Sequence, residues 1–151
     1  MVDARIYTSR RQGILKALVE VLKSINGSGE YLSNLGDQVY PRLKFWDEIE
    51  EFPAVHLNAG SEYRDYQGGG FKDRYLSVTI RVYVNEEDAV AALDSLIEDI
   101  ETVLEENSRL TYYDKRGTEQ CAQQISIISI DTDEGALEPL GVGEINIEVR
   151  Y

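Results

Sequence analysis

Apolar and polar positions alternate most strictly between Tyr75 and Val84. Leu76, Val78, Ile80, Val82 and Val84 share one side, while Tyr75, Ser77, Thr79, Arg81 and Tyr83 share the other. A period of two marks a strand that buries one face only. Directly after it the period lengthens. Ala89, Val90, Leu93, Leu96, Ile97, Ile100, Val103 and Leu104 recur at helical spacing, and the pattern runs to about Asn107. Asn85 stands where a cap is needed, and Glu86, Glu87 and Asp88 bring negative charge to the end of the helix that favours it. A one-faced strand feeding an amphipathic helix predicts that the helix folds back onto the apolar side of a sheet.

The chain before this stretch predicts a first helix over Ser9–Ile25, with Ile14, Leu15, Leu18, Val21, Leu22 and Ile25 as its stripe. Asn26-Gly27-Ser28-Gly29 then stops it, since Asn and Gly adopt the left-handed conformation that closes helices. Gln38–Trp46 reads as extended but is interrupted by Pro41, which predicts an edge strand or one starting after the proline. After the acidic turn Asp47–Phe52, Pro53–Ala59 reads as a second strand with Val55, Leu57 and Ala59 inward. Beyond it, Tyr63 and Asp65 alternate with Glu62 and Arg64, and the run passes Tyr66 to reach Gly68-Gly69-Gly70. This predicts a long hairpin that projects past the core and carries a glycine tip. With so few apolar residues, such an arm either orders against a neighbour or is a mobile surface hairpin.

After the second helix, Leu110–Tyr113 predicts a short strand, and Lys115-Arg116-Gly117 turns the chain. Gln120–Asp131 carries a strand with a phase break. Cys121, Gln123, Ile125 and Ile127 keep one parity and Ile128 and Ile130 the other, so a bulge is expected near Ile127 or Ile128. Gly143–Tyr151 alternates again, with Ile145, Ile147 and Val149 opposite Glu144, Asn146, Glu148 and Arg150. The order is helix, three strands, helix, then two or three strands (α-β-β-β-α-β-β). It predicts an α+β two-layer sandwich: a mostly antiparallel sheet with two helices packed on one face. No linker or repeat divides residues 1–151, which read as a single domain.

Composition removes several functions. Net charge is −13 with a sequence pI near 4.4, which argues against a surface that grips nucleic-acid phosphates. No apolar run approaches the ~20 residues of a membrane span, and residues 1–13 lack a signal-peptide core. One cysteine, Cys121, cannot form an internal disulfide, so the default is synthesis in a reducing cytoplasm.

Candidate chemistry is sparse. His56 is the sole histidine, so one chain cannot build a histidine-based metal cluster; its parity predicts a place on the polar face of its strand. Cys121 lacks a basic helix terminus beside it and reads as an incidental thiol. Asp131-Thr132-Asp133-Glu134-Gly135 resembles the start of a calcium loop, but it joins strands and lacks the distal glutamate, so a turn explains it. The triple glycine precedes a strand and has no lysine after it, so it is no phosphate cradle. No G-x-S-x-G occurs. The expectation is a non-enzyme without cofactor or metal.

The order of elements and several phrases resemble the tail terminator (tail completion) proteins of long-tailed bacteriophages. The phrases are RQGILKALVEVL, VYPRLKFWDEIEEFPAVHLNAG, RYLSVTIRVYV, DAVAALDSLIEDIETVL and the closing INIEVRY, with FPAVHLNAGSE the most characteristic. The resemblance covers nearly the full length. It implies a structural virion protein, assembled in the host cytoplasm, that forms a homohexameric ring. The ring caps the tail tube, ends polymerisation of the major tail tube protein and meets the head-completion connector; DNA passes through unbound. The triple-glycine tip is not part of the resemblance; from the residues themselves, the arm residues Glu62, Tyr63, Arg64, Asp65, Tyr66, Gly68, Gly69 and Gly70 are expected to contact a neighbouring subunit or the tube. On the ring reading Ser77, Thr79, Arg81, Tyr83, Glu144, Asn146 and Glu148 form a face toward the channel or a subunit contact, with the helices outside. Two alternatives remain at this point: another neck, head-completion or tube-like connector subunit, and a small cytosolic ligand-binding domain.

Overall fold

A computed structural model describes residues 9–151, so the expectation about residues 1–8 lies outside the described part. The first helix, α1, spans Arg10–Leu22 and begins at a reciprocal cap. Ser9 accepts from the Gln12 amide, and the Gln12 side chain accepts from the Ser9 amide. It closes one turn earlier than its apolar stripe predicts. Ile25 nonetheless stays fully buried because the following turn, with Ile25 N donating to Leu22 O, carries it back under the helix.

The principal sheet has five strands in the order β1-β2-β3-β7-β6. They are β1 (Val39–Tyr40), β2 (Ala54–Tyr66), β3 (Lys72–Asn85), β6 (Gln124–Thr132) and β7 (Leu140–Arg150). The pairs β2–β3, β3–β7 and β6–β7 are antiparallel, while β1 runs parallel to β2. The second helix, α2, spans Ala89–Glu106. A separate two-stranded sheet, β4 (Thr111–Tyr113) and β5 (Glu119–Cys121), lies beside α1. The fold is thus α+β, with two helices against a mostly antiparallel sheet.

Three expectations need correction. The edge strand is two residues long, lies before Pro41, and is parallel where antiparallel pairing was expected. Four strands follow α2 because Ala122 and Gln123 break the expected single strand into β5 and β6. The cap of α2 is Asp88, whose carboxylate accepts from the Ala91 amide at 3.2 Å; Asn85 instead ends β3, opposite Leu140.

The core forms where parity directs it. Val55 and Leu57 of β2, the alternating apolar set of β3 and Ile145, Ile147 and Val149 of β7 face α1 and α2. Gly143 leaves room in that layer. A Cβ there would sit 2.9 Å from Val82 Cγ2 and 3.2 Å from Leu93 Cδ1, so its absence lets α2 rest on the sheet. The bulge in β6 falls between Ile127 and Ser129, as the phase break predicts.

A second bulge was not foreseen. The register of β2 slips between Ala59 and Glu62, so Gly60 and Ser61 add a residue opposite β3. Everything beyond changes face. Glu62 pairs with Leu76 on the helix side, and Tyr63 pairs with Tyr75 on the opposite side.

Candidate functional site

The hairpin beyond that bulge is a formed ladder. Pairing continues through Arg64↔Arg74 and Asp65↔Asp73 to Tyr66↔Lys72, and Gln67 N donates to Phe71 O across the tip at 2.7 Å. At the tip Gly69 and Gly70 hold φ of 78° and 84°, a region that favours glycine. The idea that the arm orders only against a neighbour therefore gives way: cross-strand pairs and a root contact already order it. Tyr63 stacks on Tyr75 with ring centroids 4.6 Å apart, and the Arg150 guanidinium lies over Tyr75 while bonding Asp73 at 2.9 Å.

Glu62 is the root of the arm. Its carboxylate accepts from the Tyr151 hydroxyl and pairs with Arg64 at 3.0 Å, and its side chain is only 7% exposed. Arg11 of α1 donates to the neighbouring Gly60 carbonyl. Burial draws the Glu62 carboxyl upward, but the Tyr151 and Arg64 donors outweigh it and hold the group below the usual carboxylate range. Burial, together with Glu62, pushes the Tyr151 phenol up to about 12. Glu62 therefore positions the arm from within the chain, whereas Tyr63, Tyr66 and Phe71 stand exposed on it. The signal for Tyr151 was present in the sequence: it continues the inward parity of Ile145, Ile147 and Val149.

The polar sheet face is divided in two. Near β1 the segment 41–53 crosses it, and there Tyr83 is buried with its hydroxyl donating to Lys44 O at 2.6 Å. His56 is buried beside it at 2% exposure, stacked on Tyr40, with Nδ1–H donating to Arg42 O at 2.9 Å. Both correct the sequence reading. Their parity was right, but chain crossing overhead turned a polar face into an interior. Burial lowers the His56 pKa from its ordinary value, with Lys44 and Arg42 adding to that and the Arg42 carbonyl opposing it.

The rest of the face is open and internally bonded. Thr79 donates to Asn146, which donates in turn to Ser129 at 3.1 Å; Arg81 pairs with Glu144 at 3.3 Å. Ser77 and Glu148 lie between these groups and the arm. The structure thus brings together Ser77, Thr79, Arg81, Glu144, Asn146 and Glu148, and removes Tyr83 from the set.

Among the described residues no cluster of three His, Cys, Asp or Glu side chains could hold a metal. Asp133 spends its carboxylate on the Gly135 and Leu137 amides, which makes the acidic run a turn. Cys121 is exposed, 3.9 Å from the Thr111 hydroxyl. One acid that the reading passed over matters. Asp99 is 2% exposed in α2 and accepts from the Leu32 and Ser33 amides at 2.9 and 2.7 Å, tying the loop after α1 to the helix. A carboxylate between Leu96, Ile100 and Val103 on an apolar stripe was the visible sign.

A family model and a curated relative point to one family, and a solved structure shares the fold. A family model described as bacteriophage tail tube terminator protein matches residues 8–151. The tail tube terminator protein p142 of Escherichia phage T5 is 36% identical over 149 residues, covering 93% of this chain and 92% of that protein. A chain from the virion of a native gene transfer agent particle shares the fold at a TM-score of 0.56 and 10% identity. That match covers 94% of this chain and 93% of the other.

Proposed function

This chain belongs to the bacteriophage tail tube terminator family, and from that premise we propose that it is the single-domain subunit of a homohexameric ring. It is a structural protein of the virion tail. The ring caps the tail tube, ends polymerisation of the tube protein and offers the surface at which the head connector joins. The protein is made and assembled in the host cytoplasm and performs no catalysis.

The family match over residues 8–151 carries this reading, and the geometry supports it. The apolar side of the sheet is fully committed to the helices, so function is left to the open polar face and the arm. Among the described residues that face is polar, self-bonded and without a free basic patch: Arg81 is neutralised by Glu144, and Glu148 adds negative charge. A channel that passes DNA needs such a wall, because exposed cations would bind phosphates and hold the strand. We therefore assign Ser77, Thr79, Glu144, Asn146 and Glu148 to the channel side or a subunit contact, with the helices outward.

Native mass spectrometry and negative-stain imaging of the purified chain test the proposal. The expected result is a hexamer that appears as rings and caps the ends of tail tubes. A monomer at every concentration, or rings that leave tube growth unaltered, would overturn it.

A further inference from the structure

Charge is sorted along this molecule. From Glu86 to Glu106 the chain carries nine acids and no base. Asp99 is turned inward, but Asp94, Glu98 and Glu105 stand exposed on α2. Among the described residues these three have no cationic partner. At the end of the helix Glu106 meets Glu30, whose carboxyl pushes the Glu106 pKa up. Acids gathered at a helix C-terminus also oppose its dipole. Among the described residues no ion pair compensates the acids of this surface.

The arm presents the complement. The bulge at Gly60-Ser61 places Arg64, Tyr66, Lys72 and Arg74 on one face of the hairpin and Asp65 and Asp73 on the other. Lys72 lies over the Tyr66 ring at 5.8 Å and Arg74 over the Tyr151 ring at 5.5 Å. Among the described residues neither pairs with an acid. Arg64 on the same face is paired with Glu62, which leaves Lys72 and Arg74 as its two cations without an acidic partner among the described residues, beside the exposed Tyr66, in a chain of net charge −13.

We infer that the cationic face of the arm docks on the acidic outer face of α2 in the next copy of this chain. The inference rests on the ring reading and names its contact. The two surfaces lie on different elements, so their pairing is heterologous and head-to-tail, the type that closes a ring when the rotation fits. Five residues from Glu62 to Tyr66 extend about 17 Å at ~3.3 Å per residue, enough to reach across a subunit boundary. Opposite charges at this seam offset the repulsion between strongly acidic subunits and fix their register.

Sedimentation and native mass spectrometry of the full chain test it with charge reversals. Lys72→Glu with Arg74→Glu, and separately Glu98→Lys with Glu105→Lys, are each expected to weaken self-association at least about tenfold. Combining the four is expected to restore it to within about threefold. Lys72→Glu alone, on an exposed residue, keeps the test valid should Arg74→Glu loosen Tyr151. Circular dichroism melting reports that each variant is folded. Wild-type rings with unaffected variants, or a combination as weak as its parents, would overturn the contact and leave the ring reading standing. A wild type that never assembles sinks the ring reading itself. Rings that survive arm reversal but no longer cap tubes would reassign the arm to the tube protein.

Discussion

At the scale of single residues, the buried polar groups decide what is tolerated. Asp99 holds two backbone amides of the loop after α1, and removing its carboxylate leaves both without a partner. Asp99→Ala is expected to cost about 2 kcal/mol, read as a lower urea midpoint, with Asp99→Asn costing about half because one acceptor survives. His56 offers a pH test. Its folded pKa lies below the unfolded value of ~6.5, so the unfolded chain takes the proton more readily. The stability from neutral His56 is present above pH ~6.5 and is lost as pH falls through the folded pKa. Stability of the wild type should therefore drop between about pH 7 and 5, with a shallower slope in His56→Gln. Equal slopes would show that His56 titrates alike in both states. The hydrophobic pattern announced Asp99 as an acid out of place, yet its partners, 66 and 67 residues away, were unreadable.

At the scale of elements, the arm is the feature that serves neither the core nor the sheet's closure. Its strands were legible from alternation and its turn from three glycines. The facing of its side chains was not, because the β2 bulge reverses them after Ala59 and nothing in the local pattern marks the slip. The root is fixed by Glu62, Tyr151 and Arg11, all at or below the bulge, and the tip contributes nothing to the core. Deleting Tyr66–Gly70 is therefore expected to leave the melting temperature within a few degrees of wild type while abolishing ring formation. Light scattering that still reports rings would remove the arm from assembly.

At the scale of the whole molecule, assembly sets like charges against one another. In the proposed hexamer, six copies of a chain with net charge −13 sum to −78. Long-range repulsion of this kind is screened once the Debye length falls to about 10 Å, near 0.1 M salt, whereas close pairs at a seam are screened much less. Raising ionic strength from about 0.01 to 0.1 M is expected to shift the equilibrium toward rings in analytical ultracentrifugation. Dissociation over that range would mean that local attraction, not global repulsion, dominates the assembly.

Local spacing specifies the helices, the one-sided strands and the β6 bulge. All of these are written in the spacing of neighbouring residues, through local periodicity and residue type. Tertiary structure alone decided what lay above the polar face. Segment 41–53 crosses β2 and β3 and makes an interior of His56 and Tyr83, while Ser77, Thr79 and Asn146 stay on the open part. It also decided which side of the arm carries its cations. Period-two patterning tells which residues share a face, but not what chain passes over that face or where a bulge exchanges the two sides. Those outcomes depend on contacts between distant segments, and no local pattern carries them.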